Sequence, residues 1–120
     1  MQIFVMLGGF NMFLAVALGA FGAHGLKSRV DAEMLAVWQT AVLYHLVHAL
    51  GLLLVGLLAL HLPVKAAGWM LFAGIILFSG SLYLLVLTGV RPLGMVTPLG
   101  GVAFLAGWLL LAVSALKLAA

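Results

Sequence analysis

Charged side chains are scarce in this chain of 120 residues, which has five basic and two acidic residues. None of them interrupts four long apolar stretches, and 68% of all residues are hydrophobic, against about 45–50% in an ordinary soluble domain. Each stretch exceeds the roughly 20 apolar residues with which a helix crosses about 30 Å of hydrocarbon. The sequence therefore predicts a membrane protein made almost entirely of its spans.

Cysteine is absent, which excludes a disulfide, thiol catalysis, an iron–sulfur cluster and a cysteine-based zinc site. The few basic residues form no run that could meet the phosphates of a nucleic acid. We therefore expect the lipid bilayer as the surroundings, a second copy or another membrane protein as the partner, and no nucleic acid.

The apolar stretches predict one all-α domain over residues 1–120, an antiparallel four-helix transmembrane bundle with short loops. The helices are predicted at about 2–23, 29–62, 65–89 and 94–117. The first stretch lacks a basic beginning and is longer than the 7–15 apolar residues of a signal peptide, so we expect it to be a retained helix.

The second predicted helix is too long for the hydrocarbon core. From Arg29 to Leu62 it would measure about 50 Å, and Ser28 with Asp31 has the spacing of a capping box at its start. We expect its first turns to lie among the lipid headgroups, with Trp38 as an interfacial aromatic anchor.

Small residues recur at helical spacing and predict close contacts between helices, since lipid removes the hydrophobic drive for their association. The first helix has such a row at Asn11, Ala15, Gly19 and Ala23. The others are Gly74, Ser81 and Thr88 in the third helix, and Gly100, Phe104 and Gly107 in the fourth. We expect Gly19 and Gly107 to lie at helix–helix contacts.

Hairpin connectivity places the loops after the first and third helices on one membrane face, and the termini with the Pro63 turn on the other. The first face has three basic residues and the second has two, namely Lys27, Arg29 and Arg91 against Lys65 and Lys117. By the positive-inside rule, the first face is predicted to be cytoplasmic and both termini to lie outside.

His45 and His48 are the ionisable residues deepest in the spans, and at i, i+3 they share a helix face. Polar residues that could join them in one cluster are Asn11, Tyr44, Ser79 and Ser81. One hypothesis is a proton-responsive or ligand-holding pair, because ionisable groups in a membrane are costly and usually functional. The alternative is that both are neutral and hydrogen-bonded to Ser79, Ser81, Asn11 or a backbone carbonyl, linking the helices.

No catalytic residue, metal or cofactor is predicted. Two histidines could be half of a four-coordinate site, with His24 as a third ligand and Asp31 or Glu33 as a fourth only if the loop folds inward. The spans themselves supply no carboxylate or thiolate. His24 and His61 lie at opposite membrane faces and cannot share a haem iron. Ser79-Gly80-Ser81 lacks both the nucleophile turn and a triad carboxylate.

A specific combination of short motifs covers nearly the whole chain. These are Gly19-Ala-Phe-Gly-Ala-His-Gly-Leu26, Trp38 with Thr40-Ala41, Tyr44-His45 followed by His48-Ala49, Phe78-Ser-Gly-Ser-Leu-Tyr83, Leu87-Thr-Gly89, Thr97-Pro-Leu-Gly-Gly101 and Gly107-Trp108. In them the chain resembles the family of transmembrane protein 256, which includes bacterial YgdD-like proteins. The resemblance implies a four-span protein, in bacteria of the inner membrane, without an established reaction, ligand or cofactor. It also suggests that family-motif residues gather at the polar face: His24, Trp38, Gln39, Tyr83, Thr88 and Thr97.

The expected function is therefore non-enzymatic association in the membrane, as an accessory subunit or a homo-oligomer. The alternative is a small proton or solute transport or sensing element in which His45 and His48 line the path. An enzyme is least favoured, because no nucleophile–base pair or metal constellation is assembled.

Overall fold

Four long helices form the fold in the computed structural model, which describes residues 2–119. They are α1 (Gln2–Phe21), α2 (Ala32–Leu58), α3 (Lys65–Thr88) and α4 (Thr97–Ser114). A 3-10 turn, Arg91–Met95, precedes α4, and a single helical turn, α5 (Leu116–Ala119), follows it. All four long helices are long and apolar enough to cross a membrane. The prediction of an all-α four-helix membrane bundle is confirmed.

Asp31 caps the start of α2. Its Oδ1 accepts a 2.8 Å hydrogen bond from the backbone N–H of Met34, and its own backbone is extended, with φ −74° and ψ 172°. The predicted start at Arg29, with Ser28 as the cap, is wrong, because the Arg29 N–H bonds to the Leu26 carbonyl in a turn. A carboxylate at this position satisfies a free amide of the first turn and favours the positive end of the helix dipole.

The helix that Asp31 caps is shorter than predicted. It ends at Leu58, before the turn that contains Pro63, and has 27 residues, which is about 40 Å at the α-helical rise. This length still exceeds about 30 Å of hydrocarbon, so the ends of α2 extend beyond the apolar core or the helix tilts.

α2 and α3 form the centre of the bundle. α1 packs along α2 and α4 packs along α3, whereas the two outer helices make no extended contact with each other within residues 2–119. In the most apolar 18-residue window of each span, 22% of the window is buried in the protein for the first and fourth spans. The share is 50% for the second span and 44% for the third. The outer helices therefore present most of their surface to lipid.

The core has two parts, one towards each end of the bundle. The larger one consists of Phe4, Leu52, Val55, Val64, Leu71, Ile75 and Phe104. The smaller one consists of Leu26, Trp38 and Val86. The polar side chains of the spans lie between and beside these apolar clusters.

Two glycines allow helix backbones to touch. A Cβ at Gly8 of α1 would lie 2.8 Å from the backbone nitrogen of Leu53 in α2. A Cβ at Gly100 of α4 would overlap the backbone nitrogen of Phe78 in α3 and lie 2.7 Å from its Cα. A larger residue at either position would push a whole helix away, which is how small residues set interhelical distance in membranes.

The two glycines expected at contacts differ in how closely they are packed. A Cβ at Gly107 would lie 2.7 Å from Leu71 Cδ2, whereas at Gly19 it would meet only Val42 Cγ1, at 3.1 Å. Gly107 thus lies in the α3–α4 contact, and Gly19 lies in a looser one between α1 and α2. Ala23 is exposed, so the prediction that the small-residue row continues to this position is wrong. The chain has left the α-helix for a π turn there.

Candidate functional site

His45 lies at the centre of a hydrogen-bonded chain that joins α1, α2 and α3. Its Nε2 is 2.9 Å from the Asn11 side-chain oxygen, and its Nδ1 is 2.9 Å from the Tyr83 hydroxyl. The Asn11 amide nitrogen donates to the Leu7 carbonyl over 2.8 Å, so the Asn11 oxygen is the acceptor. His45 therefore donates through Nε2–H, and as a neutral ring it accepts the Tyr83 proton at Nδ1.

His48 links α2 to α4 through a second, separate set of bonds. Its Nδ1 is 2.7 Å from the Tyr44 carbonyl, and the Trp108 indole N–H donates to its Nε2 over 3.0 Å. A carbonyl only accepts and an indole N–H only donates. The surroundings therefore fix His48 as the neutral Nδ1–H tautomer, the opposite of the one that His45 adopts.

The serines of the predicted cluster bond elsewhere. Ser79 donates to the Ala41 carbonyl over 2.8 Å, which ties α3 to α2. The Ser81 hydroxyl is 2.6 Å from the Thr97 hydroxyl and joins α3 to the start of α4. Asn11 and a backbone carbonyl are thus the predicted partners that reach the histidines. Tyr83 and Trp108 supply the other two bonds.

Each histidine lines a different cleft at the lipid-facing side of the bundle. The α1–α3 cleft, of about 490 Å³, is lined by His45 together with Asn11 and Tyr83. The α2–α4 cleft, of about 550 Å³, is lined by His48 together with Tyr44 and Trp108. Because the two rings face different helices and different clefts, they do not point at one shared ligand position.

Trp38 is not the interfacial anchor that was predicted. Its side chain is 1% exposed, and its indole N–H donates to the Leu18 carbonyl of α1 over 2.9 Å. Its ring packs on Tyr83, with the centroids 4.8 Å apart. A buried indole needs such an acceptor, and this hydrogen bond links α2 to α1. The Trp38 ring also packs against the tyrosine that bonds to His45.

The other residues of the family-motif face are dispersed. His24, Gln39 and Thr88 are exposed, and the Thr88 hydroxyl donates to the Leu84 carbonyl of its own helix. Thr97 bonds to Ser81, as described above. Of the six residues, Tyr83 bonds to His45 and Trp38 packs on Tyr83, whereas the other four do not reach His45.

Trp108 and Phe104 belong to the environment of His48 and were not predicted there. The Phe104 ring lies over the imidazole, with centroids 3.5 Å apart and planes 9° apart. The sequence does contain a signal for Trp108, because an indole N–H well inside a span, away from the membrane interface, needs a polar partner. Among residues 2–119, no three His, Cys, Asp or Glu side chains come together as a metal site would require.

The chain is similar in sequence to a family of known proteins. A family profile described as "Protein of unknown function (DUF423)" matches residues 18–101. The chain is 53% identical to the UPF0382 membrane protein YwdK of Bacillus subtilis, with 98% of each chain covered. The chain belongs to this family. A UPF0382 membrane protein of Staphylococcus epidermidis is 49% identical over 99% of each chain, and one of Staphylococcus saprophyticus is 47% identical over 98% of this chain and all of the relative.

No solved structure matches this chain. The names of the DUF423 relatives agree with the four spans, since each is called a membrane protein. A family described as being of unknown function is also compatible with the resemblance to transmembrane protein 256.

Proposed function

We propose that this member of the DUF423 family acts by association within the membrane, as a homo-oligomer or an accessory subunit, and that it catalyses no reaction. We place it in the cytoplasmic (inner) membrane, because apolar helical spans are not the strands of outer-membrane barrels. The resemblance to transmembrane protein 256 and YgdD-like proteins is part of this proposal, and the four-span architecture supports it.

The observation that carries the proposal is the way the histidines are bonded. Both ring nitrogens of His45 and of His48 have partners on other helices or in the backbone. A general base or a proton carrier needs a lone pair that its substrate can reach. These rings use their lone pairs to hold helices together, so they support a structural role.

The outer helices then offer the surface for association. On α1, Met6, Phe10 and Phe13 are exposed, and on α4 so are Leu109 and Val113. Helices in lipid associate through packing of such faces, without a hydrophobic drive from water. The flanking position of α1 and α4 leaves both faces open to a neighbouring protein.

Single cysteines can test this because the natural chain has none. Phe13→Cys on α1 and Leu109→Cys on α4 place a thiol on each outer face, and Ala15→Cys, at a fully buried position, is the control. After oxidation in native membranes, we expect one outer face to give a discrete cross-linked species and the control to give none. If neither outer position exceeds the buried control, association as a homo-oligomer is contradicted.

One observation favours the alternative, a proton or solute element. The Tyr83 hydroxyl can rotate from donor to acceptor, so His45 could take a second proton without losing that bond, and His45 lines the α1–α3 cleft. Proton flux into liposomes that contain the parent or His45→Gln separates the two proposals. Association predicts equal flux, whereas flux in the parent that His45→Gln abolishes would favour the alternative.

A further inference from the structure

The α2–α4 cleft has an unusual lining for a surface that faces lipid. Its walls include four aromatic rings, and its volume of about 550 Å³ falls within the roughly 300–1,000 Å³ of small-molecule sites. The rings are those of Tyr44, Phe78, Phe104 and Trp108. Tyr44 and Phe104 lie within 17° of parallel, with centroids 6.2 Å apart. Aromatic rings pack favourably against another aromatic ring, so these walls favour a flat, conjugated guest over a flexible chain.

Tyr44 adds a polar group to this cleft. Within residues 2–119 its hydroxyl has no hydrogen-bond partner, whereas the hydroxyl of Tyr83 bonds to His45. Tyr44 follows Ala32, the first residue of α2, by twelve positions, which is about 18 Å along the helix and close to the middle of a bilayer. No water is available at that depth, so an unpaired O–H is unfavourable there.

The neighbouring histidine cannot supply the missing acceptor. Both nitrogens of His48 are occupied, one by the Tyr44 carbonyl and the other by the Trp108 indole. Tyr44 is 39% exposed and lines the cleft, so it can be reached from the lipid side. The acceptor must therefore come from a molecule that enters the cleft from the bilayer.

We propose that the α2–α4 cleft binds a lipid-soluble molecule with a planar conjugated ring and a carbonyl oxygen, the chemistry of a quinone. The ring packs against the aromatic walls, and its carbonyl oxygen accepts a hydrogen bond from the Tyr44 hydroxyl. A saturated acyl chain would fill the volume but would leave the hydroxyl unpaired. This site is independent of the association proposed above.

The test uses the full chain in detergent, with a benzoquinone that carries a decyl tail as the probe. Saturable quenching of tryptophan fluorescence reports its binding, since Trp108 lines the cleft. Tyr44→Phe keeps the ring and removes only the hydroxyl, and it should weaken binding about threefold to tenfold, the worth of one hydrogen bond. Val102→Trp fills the cleft from a position that is 62% exposed and should abolish saturable quenching.

A matched control and a competitor complete the experiment. Leu84→Trp puts the same bulk into the α1–α3 cleft and should leave the affinity unchanged. Decanol, which has the tail without the ring, should not displace the probe. The proposal is overturned by quenching that never saturates, by equal affinity in Tyr44→Phe, or by displacement with decanol. A parent dimer that Tyr44→Phe dissociates would also overturn it, because a second copy would then occupy the cleft.

Discussion

Replacing Gly100 with alanine tests the closest backbone contact between α3 and α4. The new Cβ would overlap the backbone nitrogen of Phe78 and lie 2.7 Å from its Cα, and these atoms cannot move unless α3 moves. Overpacking costs about 1–3 kcal/mol, and displacement of a backbone belongs in the upper half of that range. Alanine regains about 1 kcal/mol over glycine through helix propensity. We therefore expect a net loss of about 1–2 kcal/mol in the free energy of unfolding.

Gly101→Ala is the matched control for this change. It makes the same substitution one residue later in the same helix, where the nearest atom, Phe78 Cδ2, is at an ordinary contact distance of 4.0 Å. It should be neutral, or more stable by up to about 1 kcal/mol. Both variants are compared with the parent by unfolding in the same detergent, followed by helical circular dichroism. Equal unfolding free energies for the two variants would refute the backbone contact at Gly100.

Four further predictions concern the histidines, the helix contacts and the orientation. Trp108→Phe leaves the His48 Nε2 without a donor and should lower the unfolding free energy by about 0.6–3 kcal/mol; unchanged unfolding in detergent would contradict that bond. Nitrogen-15 NMR near pH 8 should find His48 protonated at Nδ1 and His45 at Nε2, and the same tautomer at both would be inconsistent with their partners. Gly107→Leu should destabilise the fold by about 1–3 kcal/mol. Gly19→Leu should cost less, because the only neighbour of Gly19 is the end of one side chain. If both variants melt at the same temperature as the parent, neither glycine lies in a contact. A C-terminal tag should be accessible from outside the cell, and labelling only from the cytoplasm would reverse the predicted topology.

The spans could be predicted because the signal is strong and local. The chain has few charges, and its apolar stretches are long enough to cross a bilayer. Such stretches must be helices, since every backbone group in lipid has to be satisfied within its own segment. Helix ends are weaker signals. At the start of α2, Ser28 and Asp31 both have side chains that can cap a helix. Asp31 is the cap because the chain is still in a turn after Leu26 at Arg29, and α2 begins only after Asp31.

Side-chain partners were harder to predict, because depth in the membrane is readable from sequence whereas rotation about a helix axis is not. His45 was expected to meet a serine or Asn11, and it bonds to Asn11 and to Tyr83. The π turn at Ile75–Ser79 changes the rotation of α3 just before Tyr83, and this shift does not follow from spacing alone.

Trp38 illustrates the same difficulty with an aromatic residue. Tryptophan near the end of a span is commonly an interfacial anchor, and the sequence around Trp38 fits that pattern. Whether the ring faces lipid or the next helix depends on which neighbour leaves room for it. Here Gly22 does, because a Cβ at that position would lie 2.5 Å from the Trp38 ring. The buried indole is therefore a consequence of packing between distant segments.

The mass of the particle in native-lipid discs, extracted directly from membranes without detergent, tests most directly whether the protein acts by association. We expect discs that contain two or more copies of the chain, or one copy with a second protein in fixed ratio. Association of this kind should persist at low expression, because it depends on packed helix faces in the membrane. Discs that hold a single copy of the chain with lipid alone would contradict it.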